Sequence, residues 1–348
     1  MSASVPAVTA LTAADLASVP AAVIGRIAAA RIVLTVCHEN PEADALGSAL
    51  AHALIVEAGG GRATPVCADP VPPMYDFMPG IERFRTAPDP DLAYDLIVVG
   101  DCGELERTGR VLTDHAELFG RVPILNIDHH ISNRGFGAID WVDGAAAATC
   151  EMSTLLASAM DVRLDAAGGQ LAASLIAGVV IDTANFQHPN TTPRTLRVAA
   201  ELLAAGAPLS ESARSLYRTK PNRQLRLFGL VLGRLHDELE GRIVWSTLTD
   251  LDYVQAGAGP QDSEGLIDLL SQSATADIAI LFKQDGDRTR ISVRTREGGV
   301  DATVLCARFG GGGHARASGA TVPLPVADAT GVVLAEARGL LAALNVSG

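Results

Sequence analysis

The sequence predicts an α/β protein with two domains, a first built on a doubly wound, mostly parallel sheet and a smaller second α/β domain with a mixed sheet. Short β-branched runs alternate with helix-like segments through the first half, which is typical of a parallel sheet covered by helices on both faces. The pattern restarts near residue 225, after a segment with prolines and basic residues. A chain of 348 residues, 48% of them apolar, is also long enough to bury two cores.

Four strands are predicted in the first half, and three of them lead directly into polar residues. The predicted strands span Arg31 to Val36, Ala63 to Cys67, Asp95 to Gly100 and Val122 to Ile127. His38 comes after the first strand, Asp101 after the third and Asp128 after the fourth. Because open α/β sheets bind their ligands beyond the carboxyl ends of the strands, we expect these polar residues to converge.

Two helices and a linker complete the first half. A helical tract from Gly169 to Ile181 leads into Asp182, and a further helix is predicted from Thr195 to Ala205. Two prolines and several basic residues at 207–224 indicate a linker with helical content. The predicted domains therefore comprise residues 15–206 and 225–345.

The second domain is predicted to begin with an amphipathic helix from Gln224 to about Glu240. Its predicted strands span Arg242 to Leu248, Ile278 to Lys283 and Arg290 to Thr295. A Gly-rich turn is expected at Gly310 to Gly313.

Composition excludes several classes of protein. The formal net charge of −13 argues against a long nucleic-acid groove, because such a groove needs clustered lysines and arginines. Five scattered cysteines without a CxxC pair indicate reduced thiols rather than disulfides or a zinc knuckle. The longest apolar stretch, Leu171 to Ile181, is too short to cross a bilayer. The first residues lack the basic region of a signal peptide, so we expect a cytoplasmic protein without membrane contact, whose first helix opens on a capping box of Thr12 and Asp15.

Candidate metal ligands come from four separate segments of the first half. His38, Glu42 and Asp44 share one strand-to-helix turn, and the remaining candidates are Asp101, Asp128, His129 and Asp182. Imidazole and carboxylate ligands without thiolates favour a hard, octahedral divalent ion such as Mn²⁺ over structural zinc. Clustered carboxylates repel one another unless cations neutralise them, which indicates two ions. Two ions roughly 3.5–4 Å apart activate water and clamp the oxygens of a phosphate during hydrolysis.

Each of these residues also has a structural explanation when taken alone. An aspartate at the end of a strand is more often a turn former or helix cap than a ligand, and this applies to Asp101 and Asp182. A single histidine such as His38 often caps a helix or fills a partly buried surface. Packing explains the triplet Asp128-His129-His130 less readily, and the joint pattern favours a metal site.

These residues carry a family resemblance. The turn from His38 to Ser48, the strand end at Asp101, the Asp128-His129-His130 triplet and Asp182 resemble the four motifs of the DHH phosphoesterase superfamily in their usual order. The resemblance implies a first ion held by His38, Glu42 and Asp101, and a second ion held by Asp44, Asp101, His129 and Asp182. It implies that Asp101 bridges the ions, that Asp128 supports the imidazoles and that the catalytic His130 faces the scissile phosphate.

One residue departs from the family pattern. The family usually has aspartate at the position of Glu42, and the extra methylene of glutamate lengthens the side chain by more than about an ångström. We therefore expect a changed affinity or metal preference at the first site. Loss of turnover is the alternative.

The second domain carries a candidate phosphate-binding constellation. Ser292 and Arg294 lie on a predicted strand, and four glycines, Gly310 to Gly313, lead directly into His314. Glycines let backbone N–H groups approach an anion, and an adjacent helix N-terminus would reinforce such a site. A flexible loop is the structural alternative for the glycine run. Between Arg288 and Arg316 there are six arginines and two acidic residues, a local basic patch.

This stretch resembles the DHH-associated domain, whose hallmark is a Gly-rich turn that ends in histidine. The resemblance implies that Arg294 and the backbone of Gly311, Gly312 and Gly313 bind a phosphate distal to the cut, with Ser292 on the same strand. It also implies that His314 contacts the nucleotide.

The pairing of the two domains resembles the oligoribonuclease and 3′-phosphoadenosine 5′-phosphate (pAp) phosphatase branch of the superfamily. The implied activity is hydrolysis of short oligoribonucleotides such as pApA, or of pAp, with two Mn²⁺ ions and with Mg²⁺ or Co²⁺ as alternatives. A homodimer is the expectation from the family. Two other functions stay open: a nucleotide sensor weakened through Glu42, and an inorganic pyrophosphatase, although the latter lacks the Gly-Gly-Gly-His turn.

Overall fold

The computed structural model describes residues 11–347, the last three by their backbone only. Residues 1–10, on which the expected absence of a targeting segment largely depends, lie outside the described residues. The chain divides into two compact units between Thr219 and Lys220, within the stretch 207–224. None of the described helices is both long and apolar enough to cross a membrane.

The first unit is built on five strands flanked by helices. The strands are β1 (Ile32–Val36), β2 (Arg62–Val66), β3 (Leu96–Gly100), β4 (Ile124–Asp128) and β5 (Ile139–Val142). The helices are α1 (Ala13–Ala17), α2 (Ala21–Ala29), α3 (Ala43–Ala58), α4 (Arg110–Asp114), α5 (Ala116–Arg121), α6 (Thr149–Ala159), α7 (Gln170–Asp182), α8 (Pro193–Ala204) and α9 (Leu209–Tyr217). Helix α1 opens on the expected capping box of Thr12 and Asp15.

The sheet of the first unit is parallel throughout, in the order β2-β1-β3-β4-β5. The predicted doubly wound fold is therefore confirmed, and the order reverses between β1 and β3, where such folds bind their ligands. All four predicted strands are present. Strand β5 was not predicted, because this edge strand is short and mostly solvent-facing.

Two cores cover the two faces of this sheet, since successive side chains of a strand point to opposite faces. Val33 and Val98 pack in the core beneath α3, α6 and α7, while Leu34 and Ile97 belong to the core beneath α4 and α5. Helix α3 is buried on every side from Ala43 to Val56, so its sequence is apolar rather than amphipathic. The five cysteines are buried and free, as expected.

The second unit is an α/β domain with a mixed sheet, as predicted. Its strands are β6 (His236–Glu238), β7 (Ile243–Leu248), β8 (Ile278–Asp285), β9 (Arg288–Thr295), β10 (Gly312–His314) and β11 (Ala317–Val322). Its helices are α10 (Asn222–Leu232), α11 (Asp250–Ala256), α12 (Leu266–Leu270), α13 (Ala302–Ala307) and α14 (Val326–Ser347). The order is β10-β11-β9-β8-β7-β6, with only β7 and β8 parallel.

Two elements differ from the sequence-based expectation. The helix predicted from Gln224 to about Glu240 ends at Leu232, and residues 236–238 pair with β7 instead. Gly233 is the C-cap of this helix, and a glycine favours helix continuation less than most residues do. In the predicted linker, α9 packs against α7 and belongs to the first unit.

Candidate metal centre and phosphate-binding face

The six predicted metal ligands lie together in the first unit. His38 follows β1, Asp101 follows β3 and His129 follows β4, so all three sit at the carboxyl edge of the sheet. Three groups have ligand atoms within 4.8 Å of one another: His38, Glu42 and Asp101; Asp44, His129 and Asp182; Asp101, His129 and His130. The first two groups correspond to the two ion sites that the resemblance implies, and Asp101 links them.

Asp101 lies between the imidazoles of the site. Its Oδ2 is 3.6 Å from Nε2 of His38, and its Oδ1 is 3.5 Å from Nε2 of His129. The His129 Nε2 is in turn 3.2 Å from Oδ2 of Asp182. Asp101 has a φ of 57°, a left-handed conformation that aspartate adopts more readily than most residues. This backbone turn directly follows β3 and sets the position from which the Asp101 side chain extends.

His38 is held by a hydrogen bond on the side away from Asp101. Its Nδ1 lies 2.7 Å from the carbonyl oxygen of Glu39, which leaves Nε2 facing Asp101. A ring nitrogen fixed in this way sets the orientation of a ligating imidazole.

Glu42 is the N-cap of α3. Its Oε2 accepts a hydrogen bond from the N–H of Asp44 and its Oε1 accepts one from the N–H of Ala45, each at 2.8 Å. The side chain is therefore folded back over the first turn of the helix. This conformation accommodates the extra methylene and keeps the carboxylate within the group of His38 and Asp101.

Asp44 is anchored by the N-terminus of α6. Its Oδ2 and Oδ1 accept hydrogen bonds from the N–H groups of Thr149 and Cys150, at 2.7 and 2.8 Å. The Thr149 hydroxyl donates to Oδ1 of Asp101 at 3.1 Å. A side chain at Gly178 would not fit, because its Cβ would lie 2.5 Å from Oδ1 of Asp44. Thr149 was missed in the sequence, where it carries no distinguishing signal.

A buried network holds His130. Its Nδ1 lies 2.7 Å from Oδ1 of Asp128, and Nδ2 of Asn133 donates to Oδ2 of the same carboxylate at 2.7 Å. Asn126 in turn exchanges hydrogen bonds with Asn133 and donates to Asp140. Asp128 is thus a partner of His130 and lies in none of the three ligand groups. Sequence reasoning missed both asparagines, although a polar residue at 126 inside an apolar strand was an available signal.

Four of the predicted phosphate-binding residues share one face of the second sheet. His314 on β10 lies opposite Ala317 of β11, which lies opposite Arg294 of β9. In the next row, Gly312 lies opposite Gly319, which lies opposite Ser292. Directly opposed residues point to the same side of a sheet, so four of the predicted residues line one surface. Arg294 is held by an ion pair with Asp268, 2.9 Å from Nε to Oδ1.

The glycines of this hairpin have different roles. A Cβ on Gly311 would overlap the carbonyl oxygen of Gly319, and a Cβ on Gly313, whose φ is 141°, would lie 2.6 Å from that of Ala317. Gly312, in contrast, has open space where a side chain would be. Two of the three glycines are therefore required by the hairpin itself, and Gly312 exposes its backbone.

A helix N-terminus was expected next to the glycine run. The run instead leads from the end of α13 into β10, so no helix begins directly after it. Backbone N–H groups at the nearby N-terminus of α13 already donate hydrogen bonds within the protein. The N–H of Ala302 donates to the carbonyl oxygen of Ala315, and the N–H of Thr303 donates to the side chain of Asp301.

Comparison with known proteins agrees with this geometry. Residues 32–205 match the model of the DHH family, N-terminal domain, and residues 243–343 match that of the DHHA1 domain. The chain belongs to the DHH family. A Thermus thermophilus protein named bifunctional oligoribonuclease and PAP phosphatase NrnA is 33% identical over 285 residues, 82% of this chain and 82% of that protein. A Bacillus subtilis protein of the same name is 28% identical over 231 residues, 65% of this chain and 70% of that protein.

The fold of this DHH protein is also that of a solved structure. An exopolyphosphatase-related protein from Bacteroides fragilis superposes with a TM-score of 0.79 at 22% identity, over 95% of this chain and 98% of that one. This likeness concerns the fold alone.

The electrostatics of the DHH motifs suit divalent cations. Burial and the charge of Asp101 raise the pKa of Glu42 to about 7, and burial with neighbouring carboxylates raises the pKa of Asp44 and of Asp182. Burial also opposes ionisation of Asp101, yet its hydrogen bond with His38 and the charges of the other imidazoles hold its pKa well below the usual value. Among the described residues, no lysine or arginine pairs with these four carboxylates. Such a cluster of hard donors fits metal ions, on which DHH phosphoesterases depend.

Proposed function

We propose that this DHH protein is a two-metal phosphoesterase that hydrolyses short oligoribonucleotides such as pApA, pAp, or both. The observation that carries the proposal is Asp101, a buried carboxylate that lies in the group of His38 and Glu42 and whose Oδ1 is also 3.5 Å from Nε2 of His129 in the second group. The names of the Thermus and Bacillus relatives support the substrate class. The first ion would be held by His38, Glu42 and Asp101, and the second by Asp44, Asp101, His129 and Asp182.

Two divalent ions at such a centre supply a water that is nucleophilic at neutral pH and positive charge for the oxygens of the phosphoryl group. We propose Mn²⁺ for both, with Mg²⁺ or Co²⁺ as substitutes, because the ligands combine imidazoles with carboxylates. His130 lies outside both ion groups. Asp128 binds its Nδ1 and leaves Nε2 to contact an oxygen of the scissile phosphate.

The second unit supplies the proposed grip on the substrate. Arg294, Ser292, the Gly311 to Gly313 backbone and His314 would bind a phosphate and the nucleotide away from the cut. Only 4% of the residues are Phe, Trp or Tyr, so recognition through the sugar-phosphate backbone is the expected mode. No long nucleic acid is expected as a partner, and a homodimer stays a prediction.

A substrate panel with Mn²⁺ tests this function. The purified chain should release mononucleotides from pApA, or phosphate from pAp, and should also cleave bis(p-nitrophenyl) phosphate. Asp101→Ala should retain the fold, as measured by circular dichroism, and lose more than about 95% of the rate, since removing a group that acts in the transition state is costly. Binding of pApA without turnover by the wild type would favour the sensor, and cleavage of pyrophosphate alone would favour the pyrophosphatase.

A substitution at Arg294 tests whether substrate binding by the second unit is separate from hydrolysis at the metal centre. Arg294→Ala should raise KM for pApA far more than it slows hydrolysis of bis(p-nitrophenyl) phosphate, which offers no distal phosphate to bind. Equal losses on both substrates would contradict a separate grip.

A further inference from the structure

Beside the proposed grip, the second sheet carries two cations directly opposite each other. Lys283 of β8 pairs in register with Arg290 of β9. Alternate residues of a strand share a face, so Arg290 lies on the same side as Ser292 and Arg294. Arg290 is exposed, and Lys283 is half-buried. We call these two residues the Lys283–Arg290 pair.

Neither member of the pair has an acidic partner. Within the described part of the chain, no carboxylate forms an ion pair with either residue, and Nζ of Lys283 donates only to the hydroxyl of Ser263, at 3.2 Å. The neighbouring arginines differ, because Arg294 is paired with Asp268 and Arg288 with Asp285. The chain thus pairs the cations on either side of Arg290 and leaves this pair without an ion-pair partner.

The charges around Lys283 reflect this arrangement. Like charges directly opposite each other in a sheet repel. Burial lowers the pKa of Lys283, as do the charges of Arg290 and Arg294, while Glu264 and Asp268 act in the opposite sense from α12 and the turn before it. A lysine and an arginine held close together, with no carboxylate in an ion pair with either, form a ready site for an anion.

The spacing of the strand suits a chain of phosphates. Arg290, Ser292 and Arg294 alternate along β9, so consecutive members of this row lie about 6.6 Å apart. The Lys283–Arg290 pair therefore lies one step beyond Ser292, on the side away from Arg294. A nucleotide chain with a phosphate at Arg294 would present a further phosphate along the same row.

We propose that the Lys283–Arg290 pair is a second anion subsite, which binds a further phosphate of a short oligonucleotide. The inference rests on the proposed function and deepens it. It assigns the preferred substrate class to nucleotides with more phosphates than pApA has, such as a 5′-phosphorylated trinucleotide. Arginine supplies paired N–H donors to phosphate oxygens, and lysine adds a second charge.

The test compares substrates that differ by successive phosphates: ApA, pApA and pApApA. With Mn²⁺ present, Lys283→Met and Arg290→Met should each raise KM for pApApA about tenfold more than KM for ApA or pApA, since one lost charge-assisted hydrogen bond corresponds to about a factor of ten. Lys283→Arg, which keeps the charge, should retain most of the preference. Arg288→Met is the matched control, because Arg288 lies on the same strand with its own acidic partner, and it should follow the wild type.

The remaining outcomes overturn the subsite. An increase in KM for ApA or pApA equal to that for pApApA would show that the pair acts through the fold or through a contact that does not involve the further phosphate. Unchanged values for every substrate would show that no phosphate binds there. If the wild type hydrolyses none of the three, the proposed function has failed. Calorimetric binding of pApApA to the metal-free protein then decides whether the subsite exists. Tighter binding by the wild type than by both Met variants then supports the subsite, and equal binding refutes it.

Discussion

At the scale of single residues, Glu42 caps α3 and is also a proposed metal ligand, at a position where the family usually has aspartate. Its carboxylate caps α3 through two backbone N–H groups and also lies within reach of His38 and Asp101. The cap holds the carboxylate by the same two oxygens that would contact an ion. An oxygen that accepts one hydrogen bond still has a lone pair available for a metal.

We expect Glu42→Ala to lower activity and excess Mn²⁺ to restore part of it, because the other ligands of the first site remain. Loss of the cap should also reduce the free energy of unfolding by about 1 kcal/mol. Glu42→Asp should keep both the cap and the activity, with a shifted Mn²⁺ requirement. Calorimetric Mn²⁺ titration of the three proteins decides, since identical two-site binding by wild type and Glu42→Ala would show that Glu42 is not a ligand.

Asn133 is the residue that sequence reasoning missed and that the structure connects most directly to His130. It donates to Oδ2 of Asp128, whose other oxygen contacts His130. The residue is buried, so removing its amide leaves polar atoms of Asp128 and Asn126 without a partner. It therefore acts as a positioning residue.

We expect Asn133→Ala to lower kcat on bis(p-nitrophenyl) phosphate at least about tenfold while KM changes little, as for groups that orient a reacting side chain. The exposed neighbour Ser132 provides the control, and Ser132→Ala should behave like the wild type. A wild-type kcat in Asn133→Ala would show that His130 is oriented without the asparagine.

At the scale of elements, the hairpin of β10 and β11 separates structural glycines from an exposed one. Gly313→Ala should destabilise the second unit by about 1–3 kcal/mol, because the residue has a positive φ and no space for a Cβ. Gly312→Ala should leave the free energy of unfolding nearly unchanged and raise KM for pApA several-fold, since its methyl group would occupy the face where a phosphate approaches. Denaturant unfolding and initial rates measure the two effects. An unchanged KM in Gly312→Ala would place the phosphate elsewhere.

The helices and strands also show how much of this structure could be predicted from the sequence. The strands that lead to His38, Asp101 and Asp128 were predictable, because β-branched runs followed by polar residues mark strand ends locally. The anchoring of Asp44 by Thr149 was not, since it joins residues 105 positions apart and depends on how α6 packs against α3. The predicted end of α10 lay too far along the chain, because the amphipathic pattern in the sequence continues beyond Leu232, where the helix ends.

At the scale of the whole molecule, the candidate ions and the proposed grip belong to different units. All the proposed ligands lie between His38 and Asp182, in the first unit. Metal-free, this unit holds buried carboxylates that repel one another, so ions should stabilise it specifically. The two tryptophans provide a probe for each unit, because Trp141 is in the first and Trp245 in the second.

We expect Mn²⁺ to raise the Tm reported by Trp141 more than the Tm reported by Trp245. Each probe is isolated by replacing the other tryptophan with phenylalanine, and thermal unfolding is followed by fluorescence with chelator or with Mn²⁺. An ion at about 100 times its Kd adds about 2.7 kcal/mol to the unit that binds it. At about 2–4 °C per kcal/mol, the Trp141 transition should shift upward by about 5–10 °C. Asp101→Ala should abolish most of this shift, because Asp101 lies in the group of His38 and Glu42 and its Oδ1 is also 3.5 Å from Nε2 of His129 in the second ion group. A shift of equal size in both transitions that persists in Asp101→Ala would place the ions outside the proposed centre.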